Sequence, residues 1–125
     1  MKRIRFSFEN LEVWKRAIQF ARGVVNLSEE ISSNRKHYRL VEQLESASTS
    51  VAMNIAEGKG RYSKKEFVQH LYIARGSLFE TLTLLRIFHE NNWIADAQLE
   101  ELENCGEEIN KMLLSLIKRI RESAE

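Results

Sequence analysis

Not one of the 125 residues is proline, and only five are glycine. These are the residues that most often end helices and build tight turns. A chain nearly free of them, and rich in Leu, Glu, Lys, Arg and Ala, has little to stop a helix once it has begun. The sequence therefore predicts an all-α protein. Hydrophobic residues at 43% and charged residues at 30% fit an ordinary globular chain. A chain of this length can bury roughly two-thirds of its unfolded surface, so residues 1–125 are expected to form one domain.

Local chemistry sets the breaks. Helix 1 is expected to open after Asn10, a good N-cap residue, and to run to about Ile31. The polar Ser32-Ser33-Asn34-Arg35 follows. Helix 2 is expected from about His37 to Glu57, with Gly58 as a left-handed cap. Ser63-Lys64-Lys65-Glu66 spells a capping box, which starts helix 3 at Lys64 and carries it to about Glu90. Asn91-Asn92-Trp93 ends it, Asp96 is expected to cap helix 4, and helix 4 continues to about Glu122. Short connections between long helices predict an antiparallel up-down four-helix bundle. Ahead of it, Ile4, Phe6 and Phe8 alternate with Arg3, Arg5 and Ser7, the two-residue period of an extended arm over about residues 1–8.

The helix faces carry more apolar surface than one small bundle needs. Helix 4 has a single stripe: Leu102, Cys105, Ile109, Met112, Leu113, Leu116 and Ile120. Helix 1 has two adjoining stripes. Leu11, Trp14, Ile18, Ala21 and Val25 form one; Val13, Phe20, Val24, Leu27 and Ile31 form the other, together an arc of roughly 200°. On helix 3, Phe67, Leu71, Ala74, Leu78, Leu82 and Leu85 suffice for a core, yet Val68, Tyr72 and Phe79 lie on a second side and Ile73, Leu84 and Ile87 on a third. Large exposed apolar patches mark interfaces. A homo-oligomer is expected, built on helices 1 and 3 with Val68, Tyr72 and Phe79 as its first contacts.

Most site chemistries find no support. The chain has no Glu-x-x-His pair, and His37, His70 and His89 are scattered, so no metal centre or cofactor is expected. Glu66 and His70, four apart, read as a surface pair. Cys105, the one cysteine, sits on a core stripe, reads as a buried small hydrophobe, and fits a cytoplasmic protein. No apolar run approaches the about 20 residues of a membrane span, and the basic start lacks the about 7–15 apolar residues of a secretion signal. No enzyme is expected; an acid/base pair of Glu57 and Glu80 lacks any nucleophile or metal to work with.

Two polar features remain. Gln43, Ser50, Asn54 and Glu57 form a stripe on helix 2, and Glu80 falls among apolar residues of helix 3. Buried polar groups need partners, so these five are expected to form a structural or intersubunit network. The other feature is the loop Lys59, Arg61, Tyr62, Lys64, Lys65. Four cations and an aromatic ring beside a helix start can hold phosphate and stack a base; they can equally be a solvated turn that keeps the protein soluble. The net charge is only +1, but residues 1–75 carry 14 Lys/Arg against 8 Asp/Glu, and residues 76–125 carry 5 against 10.

The segments FENLEVWKRA (8–17), EQLESASTSVAMNIAEG (42–58), GRYSKKEF (60–67) and LYIARGSLFET (71–81) resemble the four-helix bundle family encoded in intervening sequences of bacterial 23S rRNA genes, some members of which carry a ribosomal-protein name. The resemblance covers nearly the whole chain. It implies an antiparallel bundle, often a homopentamer, with no known catalytic activity. A looser structural similarity, to the accessory protein of diversity-generating retroelements, implies by analogy a pentamer that binds nucleic acid and a protein partner. Two departures stand out. The family often has proline between helices 1 and 2, where this chain has Ser32-Ser33-Asn34-Arg35. Many members carry two basic residues where this chain has Glu45 and Ser46. The expected function is a non-enzymatic oligomer that binds RNA or DNA through residues 59–65, with a protein–protein adaptor as the alternative.

Overall fold

A computed structural model describes residues 5–32 and 37–123. They form four long helices: α1 (Glu12–Ser32), α2 (Tyr38–Lys59), α3 (Lys64–Glu90) and α4 (Asp96–Glu122), preceded by a 3-10 turn at Ser7–Asn10. None of the described residues forms a strand.

The capping box at the start of α3 forms as expected. Ser63 Oγ accepts from the Glu66 N–H at 3.1 Å, and Glu66 Oε1 accepts from the Ser63 N–H at 3.4 Å. The other two caps differ. Asn10 closes the 3-10 turn, and α1 begins two residues later, at Glu12. The cause is Glu9, whose Oε1 accepts from the N–H groups of Arg5 and Phe6 at 2.7 and 2.8 Å and curls the segment. The arm expected over residues 1–8 is thus extended at Phe6 but already turned from Ser7 on; Ile4 lies outside the described residues. At α4 the N-cap is Ala95, whose N–H donates to Gln98 Oε1 at 2.8 Å. Asp96 is the first helical residue, and its carboxylate meets His89 Nε2 at 2.5 Å.

Gly58 also has a different purpose from the expected cap. Helix α2 continues through it to Lys59, and its C-cap is Gly60 in the right-handed region at φ −83°. No glycine has a positive φ; the one left-handed residue described is Asn92, at φ 64° between α3 and α4, and asparagine tolerates that conformation better than most residues. Gly58 is buried, and a Cβ there would stand 2.6 Å from His70 Cβ and 3.1 Å from the Phe67 ring. It lets α3 approach the last turn of α2.

Cross-helix partners run in opposite numerical order. Gln43, Ser50 and Asn54 of α2 meet Glu80, Ser77 and His70 of α3. Tyr72, Arg75 and Arg86 of α3 meet Arg121, Asn110 and Glu103 of α4. Arg16 and Glu30 of α1 meet Glu108 and Gln98 of α4. Phe20, Leu44, Ile55, Leu71, Leu78, Leu85, Phe88 and Ile109 are fully buried between the helices.

The core absorbs much of the surplus apolar surface. On α1, Val13, Phe20, Val24, Leu27 and Ile31 are buried, with Leu11, Trp14 and Ile18 packed against the same cluster. The expected surplus face of helix 1 is covered by its own chain. Val68, expected at an oligomer contact, is likewise buried in the core at 7% exposure, because the α3–α4 contact covers that side. Of the large hydrophobic side chains left open on the helices, α3 carries four, Tyr72, Ile73, Phe79 and Ile87, while Tyr38 and Met53 of α2 and Leu114 of α4 are exposed as well.

Gly58→Ala tests the close approach. Helix propensity alone favours alanine by about 1 kcal/mol, whereas overpacking against a neighbouring helix costs about 1–3 kcal/mol. The nearest atom is a Cβ fixed to its backbone, so the clash is expected to win and urea unfolding to show a lower midpoint. A variant as stable as the parent would mean that α2 and α3 are further apart.

Candidate nucleic-acid interface

The loop after α2 is short and held at both sides. Gly60 N–H bonds back to the carbonyls of Ala56 and Glu57 at 3.2 Å each, and Arg61 N–H to Gly58 at 3.0 Å. Two residues later the Ser63 cap starts α3. The backbone between Lys59 and Lys64 therefore has little freedom, and its side chains leave from fixed points.

Their environments differ. Lys59 Nζ lies over the Phe67 ring, 5.7 Å from its centroid. Arg61 pairs with Glu57 at 2.6 Å, one turn back on α2, with both side chains about half exposed. Tyr62 is wholly exposed, a ring that packs on no other described residue. Lys64 Nζ donates to Ser123 Oγ at 2.8 Å, tying the start of α3 to the end of α4. Lys65 is exposed.

That last tie brings in cations absent from the sequence-based site. Arg121 stacks over the Tyr72 ring at 5.4 Å and donates to its hydroxyl at 3.3 Å. Arg119 and Lys111 flank a surface groove with Asn10, Leu11 and Glu12 at the start of α1. The Lys64–Ser123 tie joins the start of α3 to the end of α4, and the groove at residues 10–13 joins the start of α1 to the same stretch of α4. Lys15, Lys59, Arg61, Lys64, Lys65, Lys118, Arg119 and Arg121 lie on these segments and the adjoining loop, outnumbering the carboxylates Glu12, Glu57, Glu66 and Glu122 on them. Four acidic residues of the first turns of α4 (Asp96, Glu100, Glu101 and Glu103) lie away from that end, whereas Glu108, at mid-helix, pairs with Arg16 of α1. Splitting the charge at residue 75 averaged these two halves of α4 together. Reading the charge along helix 4 alone would have separated them.

The five residues expected to form one polar network form three separate pieces. Ser50 Oγ bonds Ser77 Oγ at 2.9 Å, and Asn54 Nδ2 donates to Ser50 Oγ and to its carbonyl, each at 2.9 Å. Asn54 Oδ1 faces His70 Nδ1 at 3.3 Å; as that oxygen can only accept, Nδ1 is the donor. This half-buried chain joins α2 to α3. Gln43 and Glu80 make a distinct exposed contact at 3.4 Å, so Glu80 is not the buried carboxylate expected. Glu57 serves Arg61. Gln43 and Glu57 are fourteen residues apart on one helix, roughly 21 Å, so Glu57 and Glu80 share no site. His70 pairs with Asn54 and Glu66 with Ser63, not with each other.

Cys105 is half-buried rather than fully so. Burial pushes its thiol up from the ordinary value; Arg16 pulls the other way, while Glu108 and Glu101 add to the rise. A thiol held protonated is a poor nucleophile. Among the described residues no group of three or more His, Cys, Asp or Glu side chains could hold a metal ion, and no helix is long and apolar enough to cross a membrane.

The separation of the polar pieces predicts unequal effects. Asn54→Ala strips partners from Ser50 and His70 at a half-buried joint, and a lost contact of this kind is expected to cost about 1–2 kcal/mol in urea titration. Glu57→Ala removes an exposed pair and is expected to cost about 0.5 kcal/mol or less. Equal losses would contradict the geometry.

Residues 9–115 match the family described as 23S rRNA-intervening sequence protein. The fold is similar to a crystal structure of a protein of unknown function from the S23 ribosomal protein family of Bacteroides thetaiotaomicron, with a TM-score of 0.81, 31% identity, and coverage of 85% of this chain and 98% of that one. No curated protein matches. A match over most of the chain and a shared four-helix fold lead to one assignment: the chain belongs to the 23S rRNA-intervening sequence protein family.

Proposed function

We propose that this protein is a non-enzymatic, oligomeric, antiparallel four-helix bundle that binds RNA or single-stranded DNA through its basic end. The observation that carries the reading is the convergence of Lys59, Arg61, Lys64 and Lys65 with Arg119 and Arg121 at one end of the bundle, with Tyr62 fully exposed beside them. Phosphates supply most of the affinity in such contacts, and an exposed aromatic ring adds stacking that tolerates any base. The reversed order of cross-helix partners supports the antiparallel arrangement.

Self-assembly has support on α3. Gly76 lies inside this helix, where glycine costs about 1 kcal/mol relative to alanine. A Cβ there would meet nothing within 4 Å, so no contact within the described chain calls for glycine. Ile73, Phe79 and Ile87 are exposed on the same helix. A bare backbone among open apolar side chains suits the close approach of another helix. The family resemblance favours copies of this chain, in a pentamer. The adaptor reading takes the same face and gives it to a different protein. Five basic ends in one particle would raise avidity by orders of magnitude without a new contact, provided their spacing suits the strand.

Two measurements test these readings. Labelled single-stranded RNA is expected to bind at low salt and to lose affinity steeply between about 50 and 200 mM salt, with little sequence preference; replacing Lys59, Arg61, Lys64 and Lys65 by Gln is expected to abolish retention at unchanged helicity. No retention by the parent even at low salt would favour the adaptor. Gly76→Leu is expected to leave helicity intact and lower the particle mass in light scattering. A parent particle of 14.6 kDa at micromolar concentration would refute assembly.

A further inference from the structure

Beside the basic loop, α3 and α4 leave a surface groove of about 510 Å³, within the range of roughly 300–1,000 Å³ that small-molecule sites occupy. Its lining is chemically one-sided. Lys64, Lys65 and Arg121 contribute three cations, and no carboxylate of the described residues lines it. Gln69 and Ser123 add an amide and a hydroxyl, while Tyr72, Val68 and Ile120 form an apolar side. Two of the cations are already positioned: Lys64 by Ser123 at 2.8 Å, and Arg121 by Tyr72, over whose ring it lies. A guanidinium parallel to or stacked on an aromatic face keeps its N–H groups available for oxyanions in the plane of the fork.

We infer that this groove seats one nucleotide unit, with its phosphate among Lys64, Lys65 and Arg121 and its base against Tyr72 and the apolar side. Inorganic phosphate alone would use only the cations, and an apolar ligand only the opposite side; a nucleotide uses both. The unit can come from a free mononucleotide or from a strand. The inference rests on the nucleic-acid reading for its second source, and it assigns contacts to Tyr72 and Arg121 that the loop does not include. Three cations on a single phosphate give affinity through charge-assisted hydrogen bonds; the part of the Tyr72 ring that Arg121 leaves open, with Val68 and Ile120, gives an apolar side that tolerates any base.

The experiment separates the groove from the loop. Uridine 5′-monophosphate, uridine, inorganic phosphate and a fluorescein-labelled octauridylate are titrated at low salt into the full chain and two variants, the Arg121 side-chain Nε–H signal being followed by NMR in proteins that retain it. One variant carries Tyr72→Leu and Arg121→Gln; the other carries Lys59→Gln and Arg61→Gln. The monophosphate is expected to shift the Arg121 signal in the parent and the loop variant, and to bind at least tenfold more tightly than either uridine or phosphate. The groove variant is expected to lose about tenfold for monophosphate and octauridylate alike at unchanged helicity. Loss of octauridylate binding in the loop variant, with monophosphate binding kept, is also expected. Monophosphate binding without any octauridylate binding would uphold the groove with a free nucleotide as its source and refute the nucleic-acid reading. Octauridylate binding that the groove variant retains in full, with no Arg121 shift in the parent, would overturn the groove and leave the loop reading standing. Equal binding of phosphate and monophosphate would overturn the role of the ring.

Discussion

The contact between the end of α2 and the start of α3 governs the rest of the molecule. Gly58 presents bare backbone to His70 and Phe67, so the two helices come together within one turn of the loop that joins them. Three groups of contacts then depend on that approach. Buried Leu44, Ile55, Leu71 and Leu78 close between α2 and α3. Ser50, Asn54, Ser77 and His70 reach one another across the joint. The chain from Gly60 to Ser63 is left too short to wander. A larger residue at position 58 would push on all three at once, since close-packed interiors pass displacement from one layer to the next.

The same joint gives the basic loop its character. A flexible run of lysines loses conformational entropy whenever it engages a ligand. Here the backbone is turned by main-chain hydrogen bonds and ended by a side-chain cap, so part of that loss has been met in folding. Lys59 on Phe67, Lys64 on Ser123 and Arg121 on Tyr72 each restrict a long side chain further. Arg61 is different. Its ion pair with Glu57 must loosen before a phosphate can take its place.

Much of the helix plan was legible because it depends on short-range chemistry. Ser63 and Glu66 started α3 at Lys64, and the end of α4 at Glu122 followed from periodicity alone. The errors share a different origin. Glycine suggests a left-handed cap wherever helix gives way to loop, and only the position of α3 reveals that Gly58 answers to a neighbouring helix. Val68 and the double stripe of α1 read as surplus because one-dimensional faces do not show how widely three partners cover them. Asn10 and Asp96 are good cap residues that lost the position to their neighbours, Glu9 curling the chain before α1 and Gln98 bonding Ala95 before α4. Tyr72 and Arg121 are 49 residues apart, and no local pattern joins them.

The gathering of four helix termini has a physical consequence that bulk quantities conceal. A formal charge of +1 and an isoelectric point near 7.9 describe a nearly neutral particle, yet the charge is uneven along the helices, with an excess of cations where these termini meet and an excess of carboxylates over the first turns of α4. An uneven charge of this kind lets the field of a polyanion orient a particle before contact. Near its isoelectric point it can adhere to cation- and anion-exchange surfaces alike, by opposite poles. Immobilised on a negative support it would hide its basic pole; on a positive support it would present that pole to solution.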